Sequence, residues 1–318
     1  MPPRLRLASR LLASRDRSLT STTSTRTIPT NPSPLTRSFS SQPNPPNACT
    51  EPITPDLPPP PSPRWLSDLQ ARIGKCIMFG CSPAQVVEAG QIVRALTTEW
   101  RTLIAGSEGF LTGGRRGLEG QQVVWGEMDS FQHVNNVTYI RYAESSRVNW
   151  ATHFAVNADP AHAREWAELM TPKSTGLIMK SIKADFKFPM TYPDKISVYH
   201  KLRYPPSAAP SPSSLILDAV VISHRHRRVS ARIEEDVVVY DYRAGKKTAL
   251  LPFMHTVLDE TFATQEREKA RARRRIAELS GLVTGLEKNT WDRPDAEEDM
   301  GGGSPAPAAP AAPAGSSG

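Results

Sequence analysis

The fold of this chain of 318 residues is decided by one stretch, Trp125-Gly126-Glu127-Met128-Asp129-Ser130-Phe131-Gln132-His133-Val134-Asn135-Asn136-Val137-Thr138-Tyr139. A short strand is predicted over 121–125, and polar residues follow it. Asparagine is a preferred residue at a helix N-cap, so a long helix is predicted over about 136–154. The stretch is therefore a strand, a loop and a helix start, with polar side chains gathered at that start.

Downstream of the helix, apolar and polar residues alternate. Over 175–188, one face carries Ile178, Ile182, Ala184, Phe186 and Phe188. Pro189 ends this strand, and further strands are predicted over about 196–204, 215–224 and 229–242. One strand, one long helix and four successive antiparallel strands predict an α+β fold, in which a curved antiparallel sheet wraps the helix.

Helical segments flank this unit, which we place at 121–258. Residues 64–110 are predicted to form a helical extension, and the glycines between 106 and 120 are expected to end its regular structure. Residues 260–290 are predicted to form a C-terminal helix with a basic cluster, Arg267, Lys269, Arg271, Arg273, Arg274 and Arg275. Such a cluster is more often a solvated face than a binding site. The proline-rich segment 42–63 predicts a solvated linker, and 291–318 a disordered tail.

The positive charge of the chain is concentrated at its N-terminus. The formal net charge is +7, and residues 1–41 hold seven arginines and one acidic residue. The remainder holds 32 basic and 31 acidic residues, so we expect no nucleic-acid partner. Residues 1–41, rich in Arg, Ser and Thr, are typical of a mitochondrial transit peptide and predict delivery to the matrix.

Three classes of feature are not expected. The sequence has no run of about 18 apolar residues, so no membrane span is predicted. Cys49, Cys76 and Cys81 are an odd number in a chain predicted to reach the matrix, and they predict no disulfide framework. Cys76 and Cys81 also lack metal-ligand spacing. We therefore expect neither a metal nor a cofactor.

The stretch 125–139 resembles the 4-hydroxybenzoyl-CoA thioesterase-like branch of the hotdog superfamily. Its members share an Asp, a Gly-His-Val-Asn-Asn run and a Tyr on the following helix. Residues 186–194 resemble the strand and turn that follow, and the resemblance covers roughly 121–258. The whole sequence is also similar to fungal mitochondrial thioesterase-like proteins. The resemblance implies a hotdog fold and hydrolysis of an acyl-CoA or acyl-carrier thioester.

The residue chemistry suits that reaction. Thioester hydrolysis needs a carboxylate that attacks or activates a nucleophile, and donors aimed at the oxygen that becomes negative. Asp129 is the candidate base or nucleophile, and a backbone N–H at the helix start, of Asn136 or Val137, is the candidate oxyanion donor. His133 could orient Asp129, and Asn135 could hold the water or the acyl carbonyl.

Simpler roles stand beside these. Asp129, Asn135 and Asn136 could be helix caps, and His133 a structural histidine. Glu144 could form a surface ion pair with Arg147, and it is the second candidate catalytic carboxylate. Arg225, Arg227 and Arg228 form the densest cationic cluster and are candidates for the CoA phosphates, although a charged hairpin tip is usually only solvated.

Gln132 departs from the family pattern, which has glycine before the histidine. If that position takes a positive φ, glutamine costs about 1–2 kcal/mol there or reshapes the loop. A second hypothesis is therefore a non-catalytic hotdog protein that serves as a subunit or scaffold of a mitochondrial assembly. A hotdog dehydratase would carry an Asp and a His around an Asn-Pro step, a motif that the sequence lacks.

The sequence contains one copy of the hotdog motif. A single hotdog unit leaves a sheet edge unpaired, so a homodimer or a higher homo-oligomer is predicted.

We predict that import removes the N-terminal segment near Phe39-Ser40. The segment Arg37-Ser38-Phe39-Ser40 resembles a matrix-protease site, with arginine three residues before the cut. N-terminal sequencing of the protein from purified mitochondria should find a start close to residue 40. An intact Met1 in that preparation contradicts the prediction.

Overall fold

The computed structural model describes residues 57–296. The predicted transit peptide, most of the predicted linker and the tail beyond 296 lie outside the described residues. Within them, no helix is long and apolar enough to cross a bilayer.

Six antiparallel strands form one sheet. In chain order they are β1 (Gly117–Val123), β2 (Thr175–Phe186), β3 (Asp194–Leu202), β4 (Ser214–Ser223), β5 (Arg228–Asp241) and the short β6 (Lys246–Lys247). Their order across the sheet is β1-β3-β4-β5-β2, and β6 pairs with β5. β1 and β2 are therefore the edge strands of this path.

The long helix α3 (Asn136–His153) lies against one face of this sheet. Its buried Tyr139, Tyr142 and Ala143 pack with the apolar residues of the strands, among them Val198 and Val221. The helix begins at the predicted N-cap, where the side-chain oxygen of Asn135 accepts a hydrogen bond from Val137 N at 2.9 Å. The prediction of an α+β hotdog fold with a helix wrapped by the sheet is confirmed.

A second helical layer covers the opposite face of the sheet. It consists of α1 (Trp65–Met78), α2 (Pro83–Gly106) and α5 (Pro252–Lys288), which share a core that includes Leu69, Leu96 and Leu279. The end of α2 and Phe110 pack on Tyr199, Val220 and Ile222 of the sheet. Because β3 and β4 alternate between two covered faces, both strands are buried almost throughout. The predicted helical extension and C-terminal helix are both present.

Two element boundaries differ from the prediction. The last helix begins at Pro252 and not at 260, because Pro252 suits a first helical position and because Met254 and Leu258 fill the core beside α3. The glycines up to 120 do not end all regular structure, since β1 begins at Gly117. A side chain at Gly117 would collide with the carbonyl of Val198, so close strand pairing requires glycine there.

The basic cluster of α5 is partly solvated and partly paired: Arg267, Arg271 and Arg274 are exposed, whereas Lys269, Arg271 and Arg275 have carboxylate partners. Arg275 binds Glu99 of α2 at 3.0 Å, and Arg271 binds Glu268 at 2.7 Å. Arg273 donates to the carbonyl oxygens of Ser107 and Pro58. These contacts fasten α5 to α2 and to the end of the proline-rich segment, which sequence periodicity could not indicate.

A buried polar cluster ties α3 to the sheet. Arg147 lies 2.6 Å from the fully buried carboxylate of Glu235, and His200 Nε2 lies 3.3 Å from the other oxygen of that carboxylate. Ser146 donates to the carbonyl of Val198 and contacts His200 Nδ1 at 3.0 Å. The predicted pair between Glu144 and Arg147 is wrong, because Arg147 faces the sheet whereas Glu144 faces outward.

Burial alone would raise the pKa of Glu235, but its contacts with His200 and Arg147 outweigh burial and lower it. A carboxylate with a lowered pKa contributes stability that is present at neutral pH and is lost as the pH falls through that pKa.

We expect Arg147→Met to reduce the free energy of unfolding by about 3–5 kcal/mol, because it leaves the Glu235 charge buried without its cation. The double variant Arg147→Met, Glu235→Gln should lose clearly less of this free energy, because it leaves no buried charge without a partner. Urea unfolding followed by circular dichroism measures both. Arg164→Met is the control: it removes the exposed pair with Glu168 and should change stability by at most about 1 kcal/mol. Equal losses in the single and double variants contradict the prediction.

Candidate active site

The loop between β1 and α3 is held as a tight turn. Met128 and Val134 form an isolated antiparallel bridge. Within it, Asp129 N donates to the carbonyl of His133, and Gln132 N donates to the carbonyl of Asp129, both at 2.9 Å. The Asp129 side chain accepts a hydrogen bond from Phe131 N at 2.9 Å through Oδ1. The loop conformation therefore sets the direction of the Asp129 carboxylate.

Glu127 anchors the loop to α3. Its carboxylate accepts hydrogen bonds from Val124 N at 2.9 Å and from the Tyr142 hydroxyl at 2.5 Å, and its carbonyl accepts one from Asn135 N. Burial and the neighbouring Glu127 raise the pKa of Tyr142, so this hydroxyl stays a donor. Sequence reasoning missed this role of Glu127, although the residue lies only two positions before Asp129.

One pocket of about 380 Å³ brings three of the four predicted catalytic residues together. Asp129, His133 and Asn136 all line it, beside the buried Tyr139. The remaining lining residues belong to the loop and to the end of β2 with the segment after it: Phe131, Val134, Phe186, Lys187, Phe188 and Pro189. A carboxylate, an imidazole and a helix start therefore converge on a wall that is otherwise largely apolar.

The helix start presents one particular free backbone donor. Val137 N is bound by the Asn135 side chain, whereas Asn136 N has no acceptor among the described residues. Of the two predicted oxyanion donors, Asn136 N–H is thus the one available to a ligand. Asn135 does not line the pocket; its side chain serves as the helix cap.

Tyr139 shapes the inner wall. Its hydroxyl accepts a hydrogen bond from Met190 N at 3.1 Å, and its ring meets Phe186 edge to face at 5.2 Å. Burial raises the pKa of Tyr139, so it remains a neutral phenol. The resemblance assigns a Tyr to this helix, and the structure places it at the base of the pocket.

Apolar side chains of the loop and of the helix start are strongly exposed. Phe131, which lines the pocket, is 80% exposed, Trp125 is 72% exposed and Val137 is 61% exposed. Single exposed apolar residues are ordinary, but Phe131 adds an exposed aromatic ring to the wall of the pocket.

The other candidate residues lie apart from this pocket. Glu144 is exposed on α3 and does not line it. Arg225 and Arg227 lie at the β4–β5 hairpin and line neither this pocket nor the larger groove beside it. Arg228 is closer, because its guanidinium carbon lies 4.1 Å from the centre of the Phe188 ring. Among the described residues, no group of His, Cys, Asp and Glu side chains could hold a metal ion.

Comparison of the sequence with protein families gives one match. Residues 123–261 match the model of the thioesterase-like superfamily. No curated protein is significantly similar to the chain. The match covers β2 to β6, α3 and the loop that carries Asp129, and leaves out α1, α2, nearly all of β1 and most of α5. It shows that residues 123–261 are similar to the thioesterase-like superfamily.

Three similar solved structures each align over less than half of the chain. The DHNA-CoA thioesterase from Staphylococcus aureus is 11% identical and has a TM-score of 0.36, with 46% of this chain and 90% of that chain covered. The probable thioesterase YbaW from Escherichia coli is 22% identical, with coverages of 44% and 95% and a TM-score of 0.35. A thioesterase complexed with coenzyme A and Zn from Thermus thermophilus is 16% identical, with coverages of 48% and 98% and a TM-score of 0.35. TM-scores this low carry no weight for the function of this chain.

Gln132 has a φ of 62°, the left-handed region that favours glycine. We expect Gln132→Gly to raise the free energy of unfolding by about 0.5–1 kcal/mol. Glycine removes the steric cost of the positive φ, and this gain is reduced because glycine also makes the unfolded chain more flexible. Gln122→Gly is the matched control within β1, where the backbone is extended, and should destabilise. Urea midpoints at constant slope give both values. A loss of stability in both variants contradicts the prediction.

Proposed function

We propose that this chain, whose residues 123–261 form a domain of the thioesterase-like superfamily, hydrolyses an acyl-CoA or acyl-carrier thioester with Asp129 and the helix start of α3 as its catalytic groups. The observation that carries the proposal is the shared pocket of Asp129 and Asn136. It puts a carboxylate and an unused backbone donor on the same small cavity, which is what acyl transfer from a thioester requires.

The reaction can follow either of two routes in this pocket. As a general base, Asp129 takes a proton from water while the water oxygen attacks the thioester carbonyl carbon. As a nucleophile, the carboxylate itself attacks, and water then hydrolyses the resulting anhydride. In both routes the C–S bond breaks, the thiol leaves with a proton and the acid is released. The negative charge on the carbonyl oxygen is stabilised by Asn136 N–H and by the positive end of the helix dipole.

His133 and Tyr139 complete the pocket. His133 carries the backbone carbonyl that holds Asp129 N and presents its imidazole to the same cavity, where it can orient the carboxylate or bind the thioester. The phenol of Tyr139 and the ring of Phe186 form an apolar wall for the acyl group. The appended helices, the basic part of the last helix (266–275) and Gln132 fit the alternative of a non-catalytic hotdog protein. Of these, Gln132 bears on the site itself, and the turn retains its hydrogen bonds with glutamine at a φ of 62°.

The proposed enzyme is at least a homodimer. β2 is an edge strand whose outer side has no partner among the described residues, and unpaired edges are normally covered. The exposed Phe131 lines the pocket together with Phe186 at the end of β2, so a second copy that pairs with that end of the strand would bury both features at once. For the place of the reaction we propose the mitochondrial matrix, which residues 1–41 favour by composition alone.

We expect Asp129→Asn to lower kcat by about two orders of magnitude or more, because it removes the charge that activates or performs the attack. KM should change little, since the shape of the side chain is kept. Melting temperature should also hold, because asparagine can still accept the hydrogen bond from Phe131 N. Steady-state hydrolysis of a panel of acyl-CoA substrates, with thermal unfolding of the same samples, measures all three.

Glu144→Gln is the matched control, a carboxylate-to-amide change on an exposed part of α3, and should keep wild-type turnover. A folded Asp129→Asn protein with near wild-type turnover would remove Asp129 from the mechanism. Lost turnover in Glu144→Gln alone would make Glu144 the catalytic carboxylate.

We expect the purified chain to have at least twice its monomer mass of 35.0 kDa in size-exclusion chromatography with light scattering at micromolar concentration. The physical reason is the joint burial of the β2 edge and of the exposed Phe131. A monomer at that concentration rules the dimer out.

A further inference from the structure

Helix α2 carries a second apolar face beside the one that fills the core shared with α1 and α5. Val86, Val93 and Trp100 recur every seven residues, so they lie along one side of the helix. Trp100 packs against the sheet, and its ring meets the ring of His224 at the end of β4, with 5.3 Å between the centroids. Val93 is 40% exposed and Val86 is 58% exposed. The sheet therefore covers this face at Trp100 and leaves it open toward the start of the helix.

Two small residues lie beside the exposed valines. Gly90 and Thr97 follow Val86 by four and eleven residues, so Val86, Gly90, Val93 and Thr97 form one strip, here called the α2 strip. Glycine inside a helix costs about 1 kcal/mol relative to alanine. A Cβ at Gly90 would meet no atom within 4 Å, so packing among residues 57–296 does not require glycine there. Large residues that alternate with small ones match the way in which one helix receives the side chains of another.

The exposed end of α2 is held firmly. Ser82 and Gln85 form a capping box, and Gln85 Nε2 donates to the carbonyl of Asn289, at the end of α5, at 2.9 Å. A surface that is already ordered loses little conformational freedom when a partner binds to it. α2 also precedes residues 123–261, which match the superfamily, so the Asp129 pocket does not account for the α2 strip.

The β4–β5 hairpin beside the α2 strip is cationic. Arg225 and Arg227 are exposed there, and neither forms an ion pair in the described part of the chain. Lys195, whose carbonyl accepts a hydrogen bond from His224 N, is likewise exposed and without a carboxylate partner in residues 57–296. Val93 lies about 10 Å along α2 from the residue that contacts His224, at 1.5 Å per residue. A molecule on the α2 strip therefore meets positive charge on its sheet side.

We propose that the α2 strip and the β4–β5 hairpin bind an amphipathic helix of an acidic partner protein. The apolar side chains of that helix pack at Gly90 and Thr97, and its carboxylates pair with Arg225 and Arg227. A nucleic acid would pair its phosphates with the arginines but leave the valines exposed. A second copy related by a twofold axis would bring the same arginines face to face, and their charges would repel. Continuity of the α2 strip with the packing at Trp100 and the free charge of the hairpin therefore favour an acidic helix.

The probe is a fluorescein-labelled helical peptide, three heptads long, with leucine at the apolar positions and glutamate on both flanks. Fluorescence anisotropy measures its Kd for the full chain. Gly90→Gln fills the small site with a better helix former, so the melting temperature should hold or rise while the Kd weakens at least about tenfold. Gly281→Gln on α5 is the matched control, because a Cβ there also meets no atom within 4 Å. It should bind the peptide as the wild type does.

The charge is tested by a second pair of variants. Arg225→Gln, Arg227→Gln should weaken the Kd at least about tenfold and reduce its dependence on salt. Lys246→Gln, Lys247→Gln removes the same charge at the exposed β5–β6 hairpin and should leave the Kd unchanged. A peptide with lysine in place of every glutamate should bind much more weakly to the wild type.

The proposal is overturned if the acidic peptide does not bind, if the lysine peptide binds as tightly, or if Gly90→Gln and Gly281→Gln weaken binding alike. A single-stranded RNA that displaces the peptide at a lower concentration than unlabelled peptide makes nucleic acid the occupant. A fall in molar mass of Gly90→Gln in light scattering makes a second copy the occupant, and either result overturns the proposal. None of these measurements uses thioester hydrolysis, so they decide this surface independently of the proposed function.

Discussion

The burial of α3 against the sheet is the constraint on which the rest of the structure depends. Apolar packing sets its distance from the sheet, and polar contacts set its position along its axis: Ser146 binds the carbonyl of Val198, and Arg147 binds the buried carboxylate of Glu235. A buried ion pair contributes little net stability, but a shift of the helix would strand a charge in the core. The pair therefore penalises every other register of the helix.

These contacts fix the position of the N-terminus of α3, and the geometry of the Asp129 pocket depends on that position. The loop from β1 is fastened to the helix through Glu127 and Tyr142, and the Asn135 side chain caps the helix. What remains is a single free donor at Asn136 beside the Asp129 carboxylate. Preorganised groups of this kind need no rearrangement when charge develops on the substrate oxygen.

The helical layer on the opposite face changes what the domain can offer a ligand. Because the end of α2 and Phe110 cover the outer side of β3 and β4, that face is part of the core and is unavailable to other molecules. The same layer brings the proline segment next to the hairpin residue Arg228 and makes a charged groove beside the Asp129 pocket. Segments without chemistry of their own thus shape the surroundings of the site.

Periodicity and capping in the sequence determined the element order, the helix start at Asn136 and the loop that carries Asp129, because each depends on residues close together in the chain. The same applies to Gln132, whose left-handed backbone follows from a local turn. The tertiary structure alone decided the rest. Four features join residues that are well separated in sequence: the pairing of Arg147 with Glu235, the contact of Glu127 with Tyr142, the ion pair of Arg275 with Glu99 and the groove at Lys187. Such contacts depend on how whole elements pack, and no short-range pattern encodes that packing.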